Sequence, residues 1–252
     1  MGVPEGFKAL VLDIECIPNK VWRWSLHGDD STPIGMIEEP ARTVCFAAKW
    51  LGAPKKTTEF YSEWDDGREG MFGHAHRLLD EAHAVIGYNS RNFDVKWLNA
   101  EMAVEGFGPP SPHVNIDLLT EVKRNFRFPS AKLDYISQRF DLGAKTQHTG
   151  WKLWQGVIDG DEKAERLMRK YNIQDVALTE KLHDRLLPWL RYPNVALFSD
   201  GEGCRKCGGM SFTKRGYQHS ATAVYQRVVC NDCDTWSRYA TKEPISSPYR
   251  AI

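Results

Sequence analysis

The stretch FKALVLDIECI, residues 7–17, reads as a buried β-strand that carries two acidic residues, Asp13 and Glu15. Side chains alternate between the two faces of a strand, so both carboxylates point to one side and Ile14 points to the other. Burying two like charges together is costly unless protons or cations offset them. The pair therefore favours a site for hard divalent cations. The alternative is a strand that ends early and leaves both acids in solvent.

The composition is that of a globular protein. Of the 252 residues, 42% are hydrophobic, which is enough for one large domain with a small appendage. No apolar run approaches the roughly 20 residues of a membrane helix, and the N-terminus lacks a secretion signal, so we expect a soluble, cytoplasmic protein. The formal net charge is zero, which argues against a protein that coats nucleic acid by bulk electrostatics. The last 52 residues nevertheless hold eight basic and four acidic residues, so the tail is basic.

Hydrophobic patterning predicts an α/β body in which a hairpin precedes alternating strands and helices. After the first strand we expect a long irregular connection over residues 17–42. The expected elements that follow are hairpin strands at 43–52 and 57–64, a helix at 69–82, a strand at 84–88, a helix at 92–106, a strand at 114–117 and a helix at 161–187. A turn-rich linker over 191–203 divides a predicted domain of residues 1–192 from a second of residues 201–252.

Two further acidic motifs follow the first strand. GYNSRNFD, residues 87–94, places Asn89 at a turn and Asp94 about one helical turn further on. Asn suits a helix cap, which is the purely structural alternative. On the last long helix, YNIQD places Tyr171 and Asp175 four residues apart and so on one face. The alternative there is a surface acid beside a core tyrosine.

The ordered set D-x-E, N-x-x-x-F-D and Y-x-x-x-D resembles the DEDDy branch of the DnaQ-like 3′–5′ exonucleases, over about residues 7–190. The DIE and GYN…FD forms are most similar to the proofreading domains of family B DNA polymerases. The resemblance implies an RNase H-like mixed sheet flanked by helices. It also implies that two Mg²⁺ or Mn²⁺ ions are held by four acids and that Tyr171 orients the attacking water; the acids are Asp13, Glu15, Asp94 and Asp175. The sister branch carries its general-base His at the position that Lys170 occupies here. His148 does not occupy that position, so it is not assigned as a general base.

The chemistry gives an independent reason for such a set. Two metal ions about 3.5–4 Å apart activate a water and stabilise the leaving 3′ oxygen during in-line hydrolysis of a phosphodiester. Four carboxylates offset the four positive charges of these ions. Oxygen ligands suit Mg²⁺ or Mn²⁺, whereas zinc prefers His or Cys. For Asp117, at the end of a predicted strand, we favour a structural or supporting role.

The segment EVKRNFRFPSAK, residues 121–132, mixes basic side chains with Phe126 and Phe128, which suits phosphate neutralisation and base stacking. An amphipathic helix end with a solvated basic face explains the pattern equally well. Single-stranded ends favour stacking, so we expect little sequence specificity. The predicted nucleic-acid-binding residues are Asn89, Phe93, Lys123, Arg124, Arg127, Lys132, Lys206 and Arg215.

Four of the six cysteines form two C-x-x-C pairs, CRKC at 204–207 and CNDC at 230–233. In a chain without a secretion signal this spacing indicates a structural zinc site rather than disulfides, held by Cys204, Cys207, Cys230 and Cys233. The intervening AVYQRVV reads as a strand, so the module resembles a zinc ribbon. Its role is either purely structural, with zinc replacing a core, or includes gripping nucleic acid or a polymerase through its basic and aromatic residues. The remaining Cys16 and Cys45 are expected to be buried small hydrophobes.

Together these features predict a stand-alone, metal-dependent 3′–5′ exonuclease with a C-terminal zinc ribbon, similar to compact nucleases of phages and bacteria. It would release nucleoside 5′-monophosphates from single-stranded ends, with DNA as the expected substrate and a separate DNA polymerase or replication protein as a partner. An RNA exonuclease stays open because no motif senses a 2′-hydroxyl. The complete acidic set argues against a non-catalytic tethering module. A zinc-dependent transcription regulator would need a recognition helix beside the cysteines.

Overall fold

The computed structural model describes residues 4, 6–24, 32–144, 150–199 and 201–241, so the predicted loop residue His148 lies outside the described residues. The chain divides into two compact units, Lys8–His183 and Met1–Phe7 with Asp184–Ile252. The predicted domain boundaries at 192 and 201 remain predictions. Among the described helices, none combines the length and the apolar character that spanning a membrane requires.

The first unit is built on a mixed sheet whose strands come from the first half of the chain. The strands are β1 (Ala9–Ile17), β2 (Lys20–Val21), β3 (Ile37–Glu39), β4 (Arg42–Trp50), β5 (Glu59–Ser62), β6 (Ala84–Gly87) and β7 (Val114–Asp117). Five of them form one sheet in the order β5-β4-β1-β6-β7. β4 runs antiparallel to both neighbours, whereas β1, β6 and β7 run parallel. β1 is therefore the central strand.

Helices cover both faces of this sheet, as predicted. They are α1 (Gly67–Glu81), α2 (Asp94–Val104), α3 (Leu118–Asn125), α4 (Leu133–Arg139), α5 (Trp151–Ile158) and α6 (Glu162–Leu186). On one face, Leu10, Leu12 and Ile14 of β1 pack against the apolar sides of α1 and α2. On the other face, Val44 and Cys45 of β4 pack against α5 and α6. The alternation predicted for β1 is confirmed, and its odd-numbered residues Asp13 and Glu15 lie away from the α1/α2 core.

The expected helices and the hairpin are confirmed to within a few residues of their predicted ends. The irregular connection expected over 17–42 is only partly correct, because β2 and β3 pair as a small ribbon. A 3₁₀ turn over Ile34–Met36 precedes β3, and the Lys20 ammonium lies 2.9 Å from a Glu38 carboxylate oxygen. Backbone N–H and C=O groups in a long connection need partners, and a short ladder supplies them.

The second unit contains β8 (Phe212–His219), β9 (Val224–Cys230) and β10 (Trp236–Arg238), which form an antiparallel sheet in the order β10-β9-β8. β9 is the strand predicted from AVYQRVV. The segment expected as a turn-rich linker forms a 3₁₀ turn over Val195–Phe198, with Val195 and Ala196 buried. Phe7 packs edge-on against Phe198, with ring centroids 5.1 Å apart. β8 is exposed along almost its whole length, so the three-stranded sheet of this unit contributes few buried apolar side chains.

Candidate active site and cysteine cluster

Three carboxylates from two elements meet on the α6 side of the sheet. Asp13 and Glu15 project from β1 and Asp175 from α6, and one oxygen of each lies within 4.8 Å of the other two. Asp175 is 1% exposed, and the other two are partly buried. Like charges held this closely repel one another unless a cation offsets them. An all-oxygen donor set of this kind fits Mg²⁺ or Mn²⁺.

Asp94 reaches the same strand from a different element. It is the first residue of α2, is 3% exposed, and accepts a hydrogen bond through Oδ1 from the Ile14 N–H at 3.1 Å. Ile14 lies between Asp13 and Glu15, so this bond ties the start of α2 to the acidic stretch. Asp94 is not a member of the group of three whose oxygens lie within 4.8 Å.

Asn172 contacts Asp13, a contact that the sequence motifs do not reveal. Its Nδ2 donates to Asp13 Oδ2 at 2.7 Å and to the Asp13 carbonyl at 3.1 Å, and its side chain is fully buried. The two bonds fix the carboxylate relative to its own backbone. Asn172 precedes Asp175 by three residues and so shares a helix face with it, but this spacing does not identify Asp13 as its partner.

The turn after β6 sets the start of α2. Asn89 lies in the left-handed region with φ 71°, and its carbonyl accepts from the N–H of Phe93 at 3.0 Å. Asn is one of the few residues that adopt this conformation readily. The α2 cap residue is Phe93, so the interpretation of Asn89 as the helix cap is wrong. A Cβ at Gly87 would lie 2.6 Å from the Ser90 Cβ, which explains the glycine in this motif.

Asp117 has the structural role favoured for it. It caps α3, since Oδ1 accepts from the Leu119 N–H at 3.0 Å and Oδ2 accepts from the Thr120 hydroxyl at 3.1 Å. Oδ1 also accepts from the Asn89 N–H at 2.9 Å. The carboxylate therefore joins the turn after β6 to the start of α3, and it is not in the group of close acids.

Tyr171 precedes Asp175 by one helical turn and is 6% exposed. Its ring packs edge-on against Trp154 of α5, with centroids 6.3 Å apart. The Trp154 indole donates to the Cys16 carbonyl at 3.1 Å, which fixes α5 against β1. Burial raises the pKa of Cys16 to about 12 and that of Cys45 well above its ordinary value, so both thiols stay protonated. Both are buried or partly buried, as predicted for small hydrophobic residues.

The basic segment 121–132 divides into two kinds of side chain. Lys123, Arg127 and Lys132 are exposed. Arg124 forms an ion pair with Glu121 on α3. Phe126, Phe128 and Phe140 pack on one another with ring centroids 5.7–6.4 Å apart. The two predicted stacking residues therefore belong to an aromatic cluster and are only partly exposed. Phe93, which immediately precedes Asp94 in the chain, is 37% exposed.

The four cysteines of the C-x-x-C pairs converge in the second unit, with all four sulfurs within 4.8 Å of one another. Cys204 Sγ lies 3.6 Å from Cys233 Sγ, and Cys207 Sγ lies 3.7 Å from Cys230 Sγ. A tetrahedral zinc site with Zn–S bonds of about 2.3 Å has an S···S edge of about 3.8 Å. The spacing thus fits zinc and is far too long for disulfides. Gly208 and Asp234, which directly follow the two pairs, lie in the left-handed region with φ angles of 75° and 57°.

The thiols of this cluster differ in proton affinity. Burial raises the pKa of Cys230 to about 11 and raises that of Cys207 further, where Cys233 and Cys204 add to the effect. At Cys204 burial also acts to raise the pKa, but hydrogen bonds from the Lys206 and Cys207 N–H groups outweigh it and lower the value. Metal binding to this cluster must therefore displace protons.

Two predicted nucleic-acid-binding residues lie in the second unit. Lys206 donates to the carbonyls of Leu187 and Pro188 at 3.0 and 2.7 Å, so its ammonium interacts with the end of the preceding helical segment. Arg215 is exposed on β8. Basic side chains at the C-terminal end of a helix stabilise its last carbonyls. Lys206 thus has a structural contact that its sequence context did not indicate.

Comparison with known proteins gives one family match. A family model described as RNase_H superfamily matches residues 39–187, more than half of the chain. The matched span includes Asp94, Tyr171 and Asp175, begins after Asp13 and Glu15, and excludes the cysteine cluster. No match was found among curated proteins.

Proposed function

This chain belongs to the RNase_H superfamily, and on that premise we propose that it is a metal-dependent 3′–5′ exonuclease of the DEDDy type. An RNase H-like domain indicates nucleic-acid processing, and domains of this kind generally hydrolyse phosphodiester bonds. The observation that carries the proposal is the convergence of Asp13 and Glu15 with Asp175, which lies some 160 residues further along the chain. The predicted D-x-E and Y-x-x-x-D motifs meet at one place on the sheet.

In this proposal Asp13, Glu15, Asp94 and Asp175 hold two Mg²⁺ or Mn²⁺ ions. When bound, the ions activate the attacking water and stabilise the departing 3′ oxygen. The chain fixes the ligands in advance: Asn172 orients the Asp13 carboxylate, and the Ile14 N–H holds Asp94. Such supporting hydrogen bonds keep carboxylates in one geometry and so reduce reorganisation during the reaction.

In this proposal Tyr171 orients the attacking water. It lies on α6 one turn before Asp175, and its ring packs against Trp154. A hydroxyl on a packed ring has few orientations available, which suits a positioning role. Lys170, exposed on the same helix, occupies the position of the sister branch's histidine and faces solvent. These placements support the DEDDy assignment.

The substrate we propose is the 3′ end of single-stranded nucleic acid, with DNA first and RNA as the alternative. Exposed Lys123, Arg127 and Lys132 supply phosphate contacts, and the partly exposed Phe93, beside Asp94, supplies a stacking surface. The product is then a nucleoside 5′-monophosphate. A separate DNA polymerase or replication protein is the proposed partner, and zinc has a structural role in the second unit.

The test is digestion of single-stranded DNA and RNA of equal sequence, labelled at the 3′ or the 5′ end. We expect shortening from the 3′ end that needs added Mg²⁺ or Mn²⁺ and that Asp13→Asn abolishes. Glu162→Gln is the matched control, because it removes one exposed carboxylate from α6 and should cut normally. The metal requirement is tested by adding Mg²⁺ or Mn²⁺ rather than by adding a chelator, because a chelator would also remove zinc from the cysteine cluster. Oligonucleotide binding without any cutting would leave the tethering module as the function.

A further inference from the structure

The second unit contains an open cleft of about 750 Å³ with a basic wall. Its cationic lining residues are Arg191, Arg205, Lys206, Arg227 and Arg238. Over the part of this unit that the structure describes, no Asp or Glu lines the cleft. The whole chain has a formal net charge of zero, so five cations around one cleft are a strong local concentration of charge. A concave surface lined by one sign of charge attracts and retains the opposite sign.

Two aromatic rings stand exposed in the same cleft. Trp236 is 54% exposed and Tyr239 is 48% exposed. The Arg227 guanidinium lies over the Trp236 ring, 5.4 Å from its centroid. Arginine beside an exposed indole gives one phosphate contact next to one stacking surface. Two exposed rings in one cationic cleft suit a ligand that has flat faces and negative charge.

The pairing of β9 and β10 places two of these arginines opposite each other. Arg238 pairs directly with Arg227 across the strands. Like charges in directly opposite positions destabilise a sheet. The Arg238 guanidinium stacks on Tyr225 at 3.9 Å, which orders it but leaves its charge in place. An anion bound across the Arg227 and Arg238 guanidinium groups would remove the repulsion.

We infer that this cleft binds single-stranded nucleic acid, with bases stacking on Trp236 and Tyr239 and phosphates held by Arg205 and Arg227. Unpaired bases are required, because a duplex keeps its base faces stacked inside. Lys206 is excluded from the phosphate contacts, since its ammonium already donates to Leu187 and Pro188. The site is independent of the carboxylate centre and needs no hydrolysis.

The experiment measures binding of a short fluorescent circular oligothymidylate to the zinc-loaded full chain by anisotropy, without added Mg²⁺. A circle has no 3′ end, so the proposed exonuclease site cannot account for its binding, and failure of either proposal is seen separately. Arg205→Glu should weaken binding by roughly tenfold or more and reduce its salt dependence, because a phosphate contact is lost. Trp236→Ala should weaken it about tenfold through lost stacking with little change in salt dependence.

Lys163→Glu is the matched control. It makes the same charge change at an exposed position on α6, outside the cleft, and it should alter binding by no more than about twofold. Zinc content and melting temperature are checked for every variant, and Arg205→Gln replaces Arg205→Glu if the latter loses zinc.

Four results would overturn the inference. Equal weakening by Lys163→Glu would mean that binding depends on diffuse surface charge, and unchanged binding in both cleft variants would mean that the cleft is unused. Displacement of the circle by an acidic peptide such as oligoglutamate, with no effect of Trp236→Ala on either ligand, would identify an acidic protein segment as the occupant. A circular oligouridylate distinguishes RNA from DNA, and preferential duplex binding would also refute the assignment.

Discussion

The carboxylate centre and the cysteine cluster both offer ligand sets that suit metal ions, but they differ in how each relates to the fold around it. Two of the carboxylates lie on the central strand β1 and the third lies on α6, and the apolar packing of these elements holds the three together against their repulsion. The cysteines belong to a unit whose β8 is almost wholly exposed, and their buried sulfurs are a large part of its interior. In the first unit the fold supports the site. In the second, the site supports the fold.

The largest effect expected from this contrast is the unfolding of the second unit when zinc is removed. Structural zinc contributes about 10–16 kcal/mol to the folding of small domains. Removing it with a zinc-selective chelator, or replacing Cys207 by Ser, should abolish the structure of the second unit. Hydrogen exchange should show loss of protection in β9 while β1 stays protected. Retained protection in β9 would show that its apolar contacts are sufficient for folding without zinc. The two units would then not differ in how their folds depend on their sites.

A carboxylate variant should give the reverse pattern. Asp175→Asn removes a charge from a crowded, buried position, so activity should fall by at least ~10²-fold while the melting temperature stays equal or rises. The readouts are 3′-end digestion and thermal unfolding. A large fall in melting temperature would mean that Asp175 stabilises the fold, contrary to the comparison. Asp184→Asn, near the end of α6, gives the control for helix stability.

The affinity of the cysteine cluster for zinc should depend on pH. Because the pKa values of Cys207 and Cys230 are raised in the metal-free cluster, both are protonated at neutral pH and zinc must displace at least these two protons. Zinc affinity therefore falls as pH falls, by about a hundredfold per pH unit for two protons. Competition with a chromogenic chelator at a series of pH values measures the slope. A slope near zero would mean that the thiols are already ionised before zinc binds.

The smallest effect concerns the support of the carboxylate centre. Asn172→Ala removes both hydrogen bonds to Asp13 and should weaken Mg²⁺ activation by about 10–100-fold, as for other residues that orient metal ligands. The titrated Mg²⁺ requirement should change more than the rate at saturating Mg²⁺. Restored affinity in Asn172→Gln would support orientation, and an unchanged Mg²⁺ requirement in the alanine variant would assign Asn172 to packing alone.

Local spacing predicted the parts of these sites that lie on one element. Alternation in β1 placed Asp13 and Glu15 on a common face, and four-residue spacing placed Tyr171 and Asp175 together on α6. The two C-x-x-C pairs predicted the cysteine cluster for the same reason, since each pair is a local turn. The α/β class followed from the order of strands and helices, whereas the RNase H-like sheet was implied by the family resemblance of the motifs.

Contacts between elements distant in the chain were not accessible in the same way. Asn172 reads as an ordinary helix residue until β1 is packed against α6, and Phe126 reads as exposed until Phe140 lies against it. Lys206 finds the carbonyls of Leu187 and Pro188 only after the first C-x-x-C turn forms. In each case the partner is fixed by tertiary packing, which local propensity and periodicity do not encode.

The alternation in β1 also determines what kinds of genetic change this chain can survive. A substitution in β1 alters one side chain, but inserting or deleting a single residue before Leu12 moves every later side chain of the strand to the opposite face of the sheet. Leu12 would then face the α6 side while a carboxylate entered the α1/α2 core. We therefore expect β1 to keep its length across evolution while its individual residues drift, and engineered libraries should vary this strand by replacement alone.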